Sequence, residues 1–340
     1  MTVVKEDSMG SQPPRRKRGL LAKLLVSTSV LVLGVIGYEA YYRYHNYGLA
    51  GFSPTLMRSF RLMGDSGLIR ASEYPDLRIQ LRPNLRARFK FAVFNTNSQG
   101  LRDEEYSLEK PEGTFRIAFV GDSYTMRSGV EIEDVYHSVL ETSLNRDASG
   151  VRYECINFGV GSFGLLDYFG TIKDRVLAYS PDLIVIGLTS TDDVPPPDGY
   201  LETPFVKRPD IAPSFLRLTF VQRLLEEHPP NETPREERTE YQREMLGRIR
   251  GVVPRETGLF CVFLSTNFVD RERRSTARFE RLAKSFDIGY LDTTVLFEGK
   301  DSLDYQILPI DRHPNVAGHA IYAEALEKAL RDGGWLKPRR

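Results

Sequence analysis

Cysteine is nearly absent from this chain: Cys155 and Cys261 are its two representatives in 340 residues. Two are too few for a disulfide framework or a cysteine-rich metal site. Each lies in an apolar run, Tyr153-Glu154-Cys155-Ile156 and Phe260-Cys261-Val262-Phe263, where cysteine serves as a small core hydrophobe. Excess charge of either sign is also missing, since 46 Lys and Arg balance 46 Asp and Glu. That balance argues against a general nucleic-acid binder, which needs a clustered basic face to displace counterions from phosphates. Internal repeats and long low-complexity tracts are lacking too. What is present, 41% hydrophobic and 27% charged residues, is the composition of an ordinary globular protein with a packed core.

One long hydrophobic run stands at the amino terminus. A polar segment, residues 1–18, ends in Arg15-Arg16-Lys17-Arg18, and an apolar stretch of residues 19–42 follows, interrupted by Lys23 and Glu39. About 20 mostly apolar residues suffice to cross the hydrocarbon core, provided Lys23 snorkels toward the basic side. The basic cluster predicts a cytoplasmic amino terminus, with Tyr38, Tyr41, Tyr42 and Tyr44 as an aromatic belt on the far side. A cleaved secretory signal is the rival reading, although Gly37-Tyr38-Glu39-Ala40-Tyr41 lacks the paired small residues of a peptidase site. Both readings put the rest of the chain in the periplasm or outside the cell.

Residues 43–110 read as a lead-in segment with one or two strands, among them the run from Arg88 to Phe94. Beyond residue 110, short apolar runs alternate with helical stretches: Phe115 to Val120, Tyr153 to Phe158, Leu183 to Leu188, Leu259 to Leu264 and Ile288 to Leu291. Near-continuous apolar strands alternating with helices imply an α/β domain over residues 111–335, with a five-stranded parallel sheet covered on both faces. Such sheets carry their ligand site at the carboxyl ends of the strands. Between the third and fourth runs, residues 194–235 are rich in proline, and read either as a cap over that site or as a surface excursion.

Two motifs at this edge carry chemistry. Gly121-Asp122-Ser123-Tyr124-Thr125 follows the first strand, where a Gly-Asp turn would expose Ser123 Oγ at a helix start; an ordinary helix cap explains the same residues. Near the carboxyl end, Ile310-Asp311-Arg312-His313-Pro314-Asn315 precedes a helix-like run to about Leu330. A serine nucleophile needs an imidazole to take its proton and a carboxylate to fix the imidazole tautomer, roles that His313 and Asp311 can fill. His319, further into that helix, reads as structural.

Taken together with Thr96-Asn97-Ser98-Gln99-Gly100-Leu101-Arg102-Asp103, Ile156-Asn157-Phe158-Gly159-Val160-Gly161-Ser162 and Ser180-Pro181-Asp182-Leu183-Ile184, these motifs resemble those of the SGNH (GDSL-type) hydrolases. The resemblance implies a three-layer flavodoxin-like domain that cleaves or transfers acyl esters, with no metal or organic cofactor. It assigns Ser123 as nucleophile and oxyanion donor, His313 as general base and Asp311 as its orienting partner, with Gly121 and Asp122 supporting the turn. The third motif implies a backbone donor at Ser162 or at Gly161, one residue earlier.

The fourth motif departs from the family pattern. Asp192 stands where an Asn amide would donate to the oxyanion. An ionised carboxylate only accepts hydrogen bonds, and losing one oxyanion donor costs about 100- to 1,000-fold in turnover. A protonated Asp192, a substitute donor such as Thr191, and a weakened site are all consistent with the sequence. The expectation is a membrane-anchored serine esterase or O-acyl-transfer enzyme acting on an acylated small molecule or envelope polysaccharide. The alternative is a catalytically silent relative that binds such a ligand or a partner protein.

Overall fold

The computed structural model describes residues 15–59, 67–126, 128–146, 150–189, 195–202, 233–266 and 270–337. Its first element is a helix, α1 (Arg15–Tyr47), followed by the short α2 (Pro54–Ser59). The lead-in then supplies two small antiparallel pairs, β1 (Ile69–Ala71) with β2 (Ile79–Leu81) and β3 (Arg86–Phe89) with β4 (Ala92–Asn95). The chain continues through β5 (Thr114–Gly121), α3 (Ser123–Met126), α4 (Tyr136–Leu144), β6 (Arg152–Asn157), α5 (Leu165–Asp174) and β7 (Leu183–Leu188). It ends with α6 (Arg235–Val252), β8 (Gly258–Phe263), α7 (Asp270–Ser285), β9 (Gly289–Asp292), a hairpin of β10 (Gln306–Leu308) and β11 (Asp311–Pro314), and α8 (Val316–Asp332).

The five apolar runs form β5 to β9, all parallel, in the spatial order β6-β5-β7-β8-β9. The second strand in sequence is therefore outermost and the first lies inside it, which is the flavodoxin-like winding. Strand periodicity divides the side chains between two layers. Phe115, Ile117 and Phe119 of β5, with Val185 of β7 and Val262 of β8, face α4 and α8. Ala118, Val120, Ile184, Ile186 and Cys261 face α5, α6 and α7. Both layers are buried, and each fully buried Leu, Ile or Phe contributes about 1.5–3 kcal/mol. The two cysteines sit inside these layers as unpaired thiols.

The lead-in is part of this core. Leu68, Ile79, Leu81, Phe89, Phe94 and Leu101 join the apolar layer that also holds α5. Lys173 of α5 pairs with Asp76, and Arg175 Nη2 donates to the Gln99 carbonyl at 2.5 Å. The run Arg88 to Phe94 is two strands, because the chain reverses at Lys90-Phe91, with Lys90 at φ +54° and Phe89 opposite Ala92. A buried arginine locks this hairpin to the sheet edge: Arg102 lies 4.0 Å over the Phe94 ring and donates to the carbonyls of Val93 (2.7 Å), Met126 and Val130 (3.4 Å each).

α1 has 33 residues, about 50 Å at 1.5 Å per residue, and overruns residues 19–42 at both ends. Within Gly19–Phe52 an 18-residue window has a mean hydropathy of 2.2 and no buried residue, which fits a membrane span or a signal sequence. Glu39, the acidic interruption near its end, is matched one turn on by Arg43 at 2.6 Å, and Arg43 also reaches the Gly51 carbonyl. Tyr38, Tyr41 and Tyr44 are exposed along these last turns.

Candidate active site

The site assembles at the carboxyl end of β5, beside the point where the winding reverses. Gly121 ends the strand with no room for a side chain, since a Cβ there would lie 2.1 Å from Thr125 Oγ1 and 2.9 Å from the Gly187 carbonyl. That close approach lets the chain turn sharply into α3. Asp122 is buried and holds the turn, accepting from the Tyr124 N–H at 2.8 Å and from Thr189 Oγ1 at 3.1 Å. Burial raises its carboxyl; the Tyr124 N–H, attraction to His313 and the Thr189 hydroxyl oppose that rise. Ser123, the first residue of α3, is left half-buried with its hydroxyl toward His313.

The second motif arrives from the far end of the chain on a strand. In β11, residues two apart project to the same side, so Asp311 and His313 face together while the intervening Arg312 is exposed. A one-residue gap between carboxylate and imidazole is therefore enough. His313 Nε2 lies 2.7 Å from Ser123 Oγ, and His313 Nδ1 lies 2.5 Å from Asp311 Oδ1. Tyr124 steadies the approach from α3, donating to the Arg312 carbonyl at 3.0 Å with its ring 5.3 Å from the imidazole. Asn315 begins α8 directly after, capping the Gly318 N–H at 3.1 Å and donating to the carbonyls of Asp304 and Gln306.

A residue that local sequence patterns did not single out completes the group. Lys90, at the tip of the β3–β4 hairpin, is 8% exposed and places Nζ 2.5 Å from Asp311 Oδ2 and 3.1 Å from His313 Nδ1. Burial on its own would raise the Asp311 carboxyl; the hydrogen bond from His313 and the Lys90 ammonium outweigh it and hold Asp311 well below the usual carboxylate range. Burial draws the Lys90 ammonium below the ordinary lysine range, opposed by attraction to Asp311. The only sequence signal for Lys90 is a basic residue set between Phe89 and Phe91, with neither Gly, Asn nor Asp to mark a turn.

The backbone donors divide differently from expectation. Ser162 is exposed at φ +67°, and among the described residues neither its N–H nor that of Ser123 has a hydrogen-bond partner. The Gly161 N–H instead meets Met126 Sδ at 3.3 Å. A buried N–H takes a partner when one is in reach, and this one is engaged by the sulfur at the far end of α3. Asp192 and Thr191 lie outside the described residues, as does most of the 194–235 insertion. Of that insertion's described part, Tyr200 donates to Asp167 at 3.1 Å, just behind the Ser162 loop. His319 is buried and stacks with Tyr136 at 6.1 Å, away from the group at Ser123.

A hydroxyl, an imidazole and a carboxylate in hydrogen-bonded series can pass a proton from oxygen to nitrogen while the carboxylate supports the resulting charge. A backbone N–H such as that of Ser123, on the same residue as the hydroxyl, can receive negative charge developing on a bound carbonyl oxygen.

No family model matches the chain, and no curated protein does. Among solved structures it is similar to the acetylxylan esterase Axe2 from Geobacillus stearothermophilus, with a TM-score of 0.44 and 18% identity over 66% of this chain and 97% of that one. It is also similar to a two-domain esterase (CEX) active on acetylated mannans, with a TM-score of 0.45 and 16% identity over 64% of this chain and 49% of that one. Scores this low carry nothing about chemistry, which rests on the residues themselves.

Proposed function

We propose that the protein is a serine esterase or O-acyl-transfer enzyme of SGNH type, held by its amino-terminal helix at the outer face of the cytoplasmic membrane. The observation that carries this reading is the unbroken series Ser123 Oγ, His313 Nε2, His313 Nδ1 and Asp311 Oδ1, at 2.7 and 2.5 Å. Ser123 attacks the acyl carbonyl as His313 Nε2 takes its proton, and Asp311 fixes the tautomer that leaves Nε2 free to accept. The N–H groups of Ser123 and Ser162 receive the oxyanion. Collapse of the tetrahedral intermediate sends the proton from His313 to the departing alkoxide, and leaves an acyl group on Ser123. Water, or a sugar hydroxyl in a transfer reaction, then takes that acyl group with the same proton movements reversed.

The substrate proposed is an O-acylated small molecule or polysaccharide of the envelope. Two features support this placement: the long apolar α1 and the basic residues Arg15 to Arg18 that precede its apolar part. The test is p-nitrophenyl acetate hydrolysis by the full chain in detergent micelles, comparing wild type with Ser123→Ala. Loss of turnover by at least about 1,000-fold in Ser123→Ala is the expected result. One observation favours a second reading, a silent binding protein: position 192 is a carboxylate where a donor is needed. Under that reading Asp192→Asn gains turnover that the wild type lacks.

A further inference from the structure

Lys90 occupies a position that a Ser-His-Asp series does not require. Its Nζ is 2.5 Å from the outer oxygen of Asp311, the one not facing His313, and 3.1 Å from His313 Nδ1. Nδ1 carries the proton that it donates to Asp311, so the contact between Nζ and Nδ1 is not a hydrogen bond. It brings a cation against the ring that must become a cation during catalysis.

The placement is built rather than incidental. Lys90 sits at φ +54° at the hairpin tip, a conformation that lysine seldom adopts. Its ammonium lies 5.6 Å from the Phe89 ring centroid, and its stem passes Gly129, where a Cβ would lie 3.4 Å from Lys90 Cδ. Arg102 ties the same hairpin to the carbonyls of Met126 and Val130, on either side of that glycine. The hairpin that carries the lysine and the helix that carries Ser123 are thus fixed to each other.

We propose that Lys90 is a positioning residue of this site, whose ammonium clamps Asp311 in its orienting pose and opposes a second positive charge on His313. A neutral residue at this position would leave Asp311 unclamped and remove a positive charge from beside the ring that takes the proton. The proposal rests on the reading of Ser123, His313 and Asp311 given above. Among the described residues, the charged and titratable groups facing His313 are Asp311 on its own strand, Lys90 on the β3–β4 hairpin, and Asp122 and Tyr124 at the start of α3. Asp311 and Asp122 favour the imidazolium; Lys90 alone among these four disfavours it. Like charges this close move a titration by about 1 to 3 pH units.

The experiment has two readouts on the full chain in detergent, for wild type, Lys90→Met, Lys90→Arg and Ser123→Ala. The first is the ring titration of His313 by NMR on histidine-labelled protein, with its signal identified by loss in His313→Gln. The second is kcat/KM for p-nitrophenyl acetate between pH 4.5 and 9. Lys90→Met is expected to move the His313 midpoint and the acid limb of kcat/KM up together by about one pH unit or more, with KM unchanged. The ratio of kcat/KM at pH 5 to that at pH 9 falls about tenfold or more, and Lys90→Arg retains the wild-type limb. Lys90→Gln, which keeps a donor toward Asp311 without the charge, serves as the second neutral variant should the methionine variant fold poorly. A midpoint unmoved in the neutral variants overturns the proposal, even where activity falls uniformly with pH. Turnover that survives Ser123→Ala overturns the esterase reading instead, and the NMR titration still decides the role of Lys90.

Discussion

Gly159 connects the packing of the fold to the geometry of the site. It follows β6 and lies against α3, so that a Cβ there would stand 2.4 Å from the Met126 nitrogen and 2.8 Å from the Thr125 carbonyl carbon. Both obstacles are backbone, and neither can rotate away as a side chain would. Bringing the first contact to 3.0 Å requires 3.0 − 2.4 = 0.6 Å of separation between α3 and the loop that carries Ser162, and ordinary contact requires more. Those two segments hold the proposed nucleophile, Ser123, and a proposed backbone donor, Ser162. Overpacking of this kind costs about 1–3 kcal/mol of stability, which lowers Tm by roughly 2–12 °C in a domain of this size. The effect on catalysis is larger in proportion, because a misplacement near 1 Å costs about 100-fold. Gly159→Ala is therefore expected to lower kcat for p-nitrophenyl acetate by about 10- to 100-fold at 25 °C, in protein whose circular dichroism stays native. Gly251→Ala is the control: it lies in α6 with nothing within 4 Å, and is expected to add up to about 1 kcal/mol with kcat unchanged. A Gly159→Ala enzyme within twofold of wild type would falsify the claim that this close approach sets the site.

Other expectations follow from the same geometry. Asp311→Asn removes the group that fixes the imidazole tautomer and should lower kcat about 10⁴-fold in the esterase assay; a loss under tenfold would speak against the orienting role. Arg102→Met leaves the buried bonds to the Met126 and Val130 carbonyls and the part-buried one to Val93 unmade and is expected to cost about 3 kcal/mol in urea unfolding, and an unchanged midpoint would contradict this. Burial raises the Asp103 carboxyl to about 7, against the N–H groups of Asn157 and Glu104, and raises Asp167 to about 6, against the Gly164 N–H and the Tyr200 hydroxyl. A carboxyl whose folded pKa exceeds its unfolded value near 4 favours the fold at low pH and loses that contribution as pH rises through the folded value. Asp103, shifted by 7 − 3.8 = 3.2 units, gives at most about 4 kcal/mol between pH 4 and 8. The urea midpoint should then be higher at pH 5.5 than at pH 8, and the opposite order would refute the assignment.

Those features set by local chemistry were legible from the sequence. The five strands announced themselves because both faces of the sheet are covered, so each strand reads as an unbroken apolar run such as Leu183 to Leu188. Ser123, Asp311 and His313 were legible because each lies in a short motif at a strand end or before a helix. The joining of His313 to Ser123 across 190 residues follows only from the winding of the sheet. Lys90 stayed hidden for two reasons. Its turn carries none of the usual turn residues, and its partners on β11 lie more than 200 positions away. The partner of the Gly161 N–H was not legible because it depends on where the Met126 sulfur packs, a tertiary contact that no spacing encodes. The packing of the lead-in onto α5 was not legible for a similar reason, since the apolar residues that tie the two together are spread thinly from Leu68 to Leu101.

The central claim is that Ser123 is a nucleophile activated by His313. Intact mass and peptide mapping of the full chain after treatment with a fluorophosphonate test it most directly, because such reagents bond to an activated serine whatever the natural substrate is. One adduct per chain, located on Ser123 and lost in His313→Gln, is the expected result. An unmodified protein, or an adduct on another serine, would contradict it.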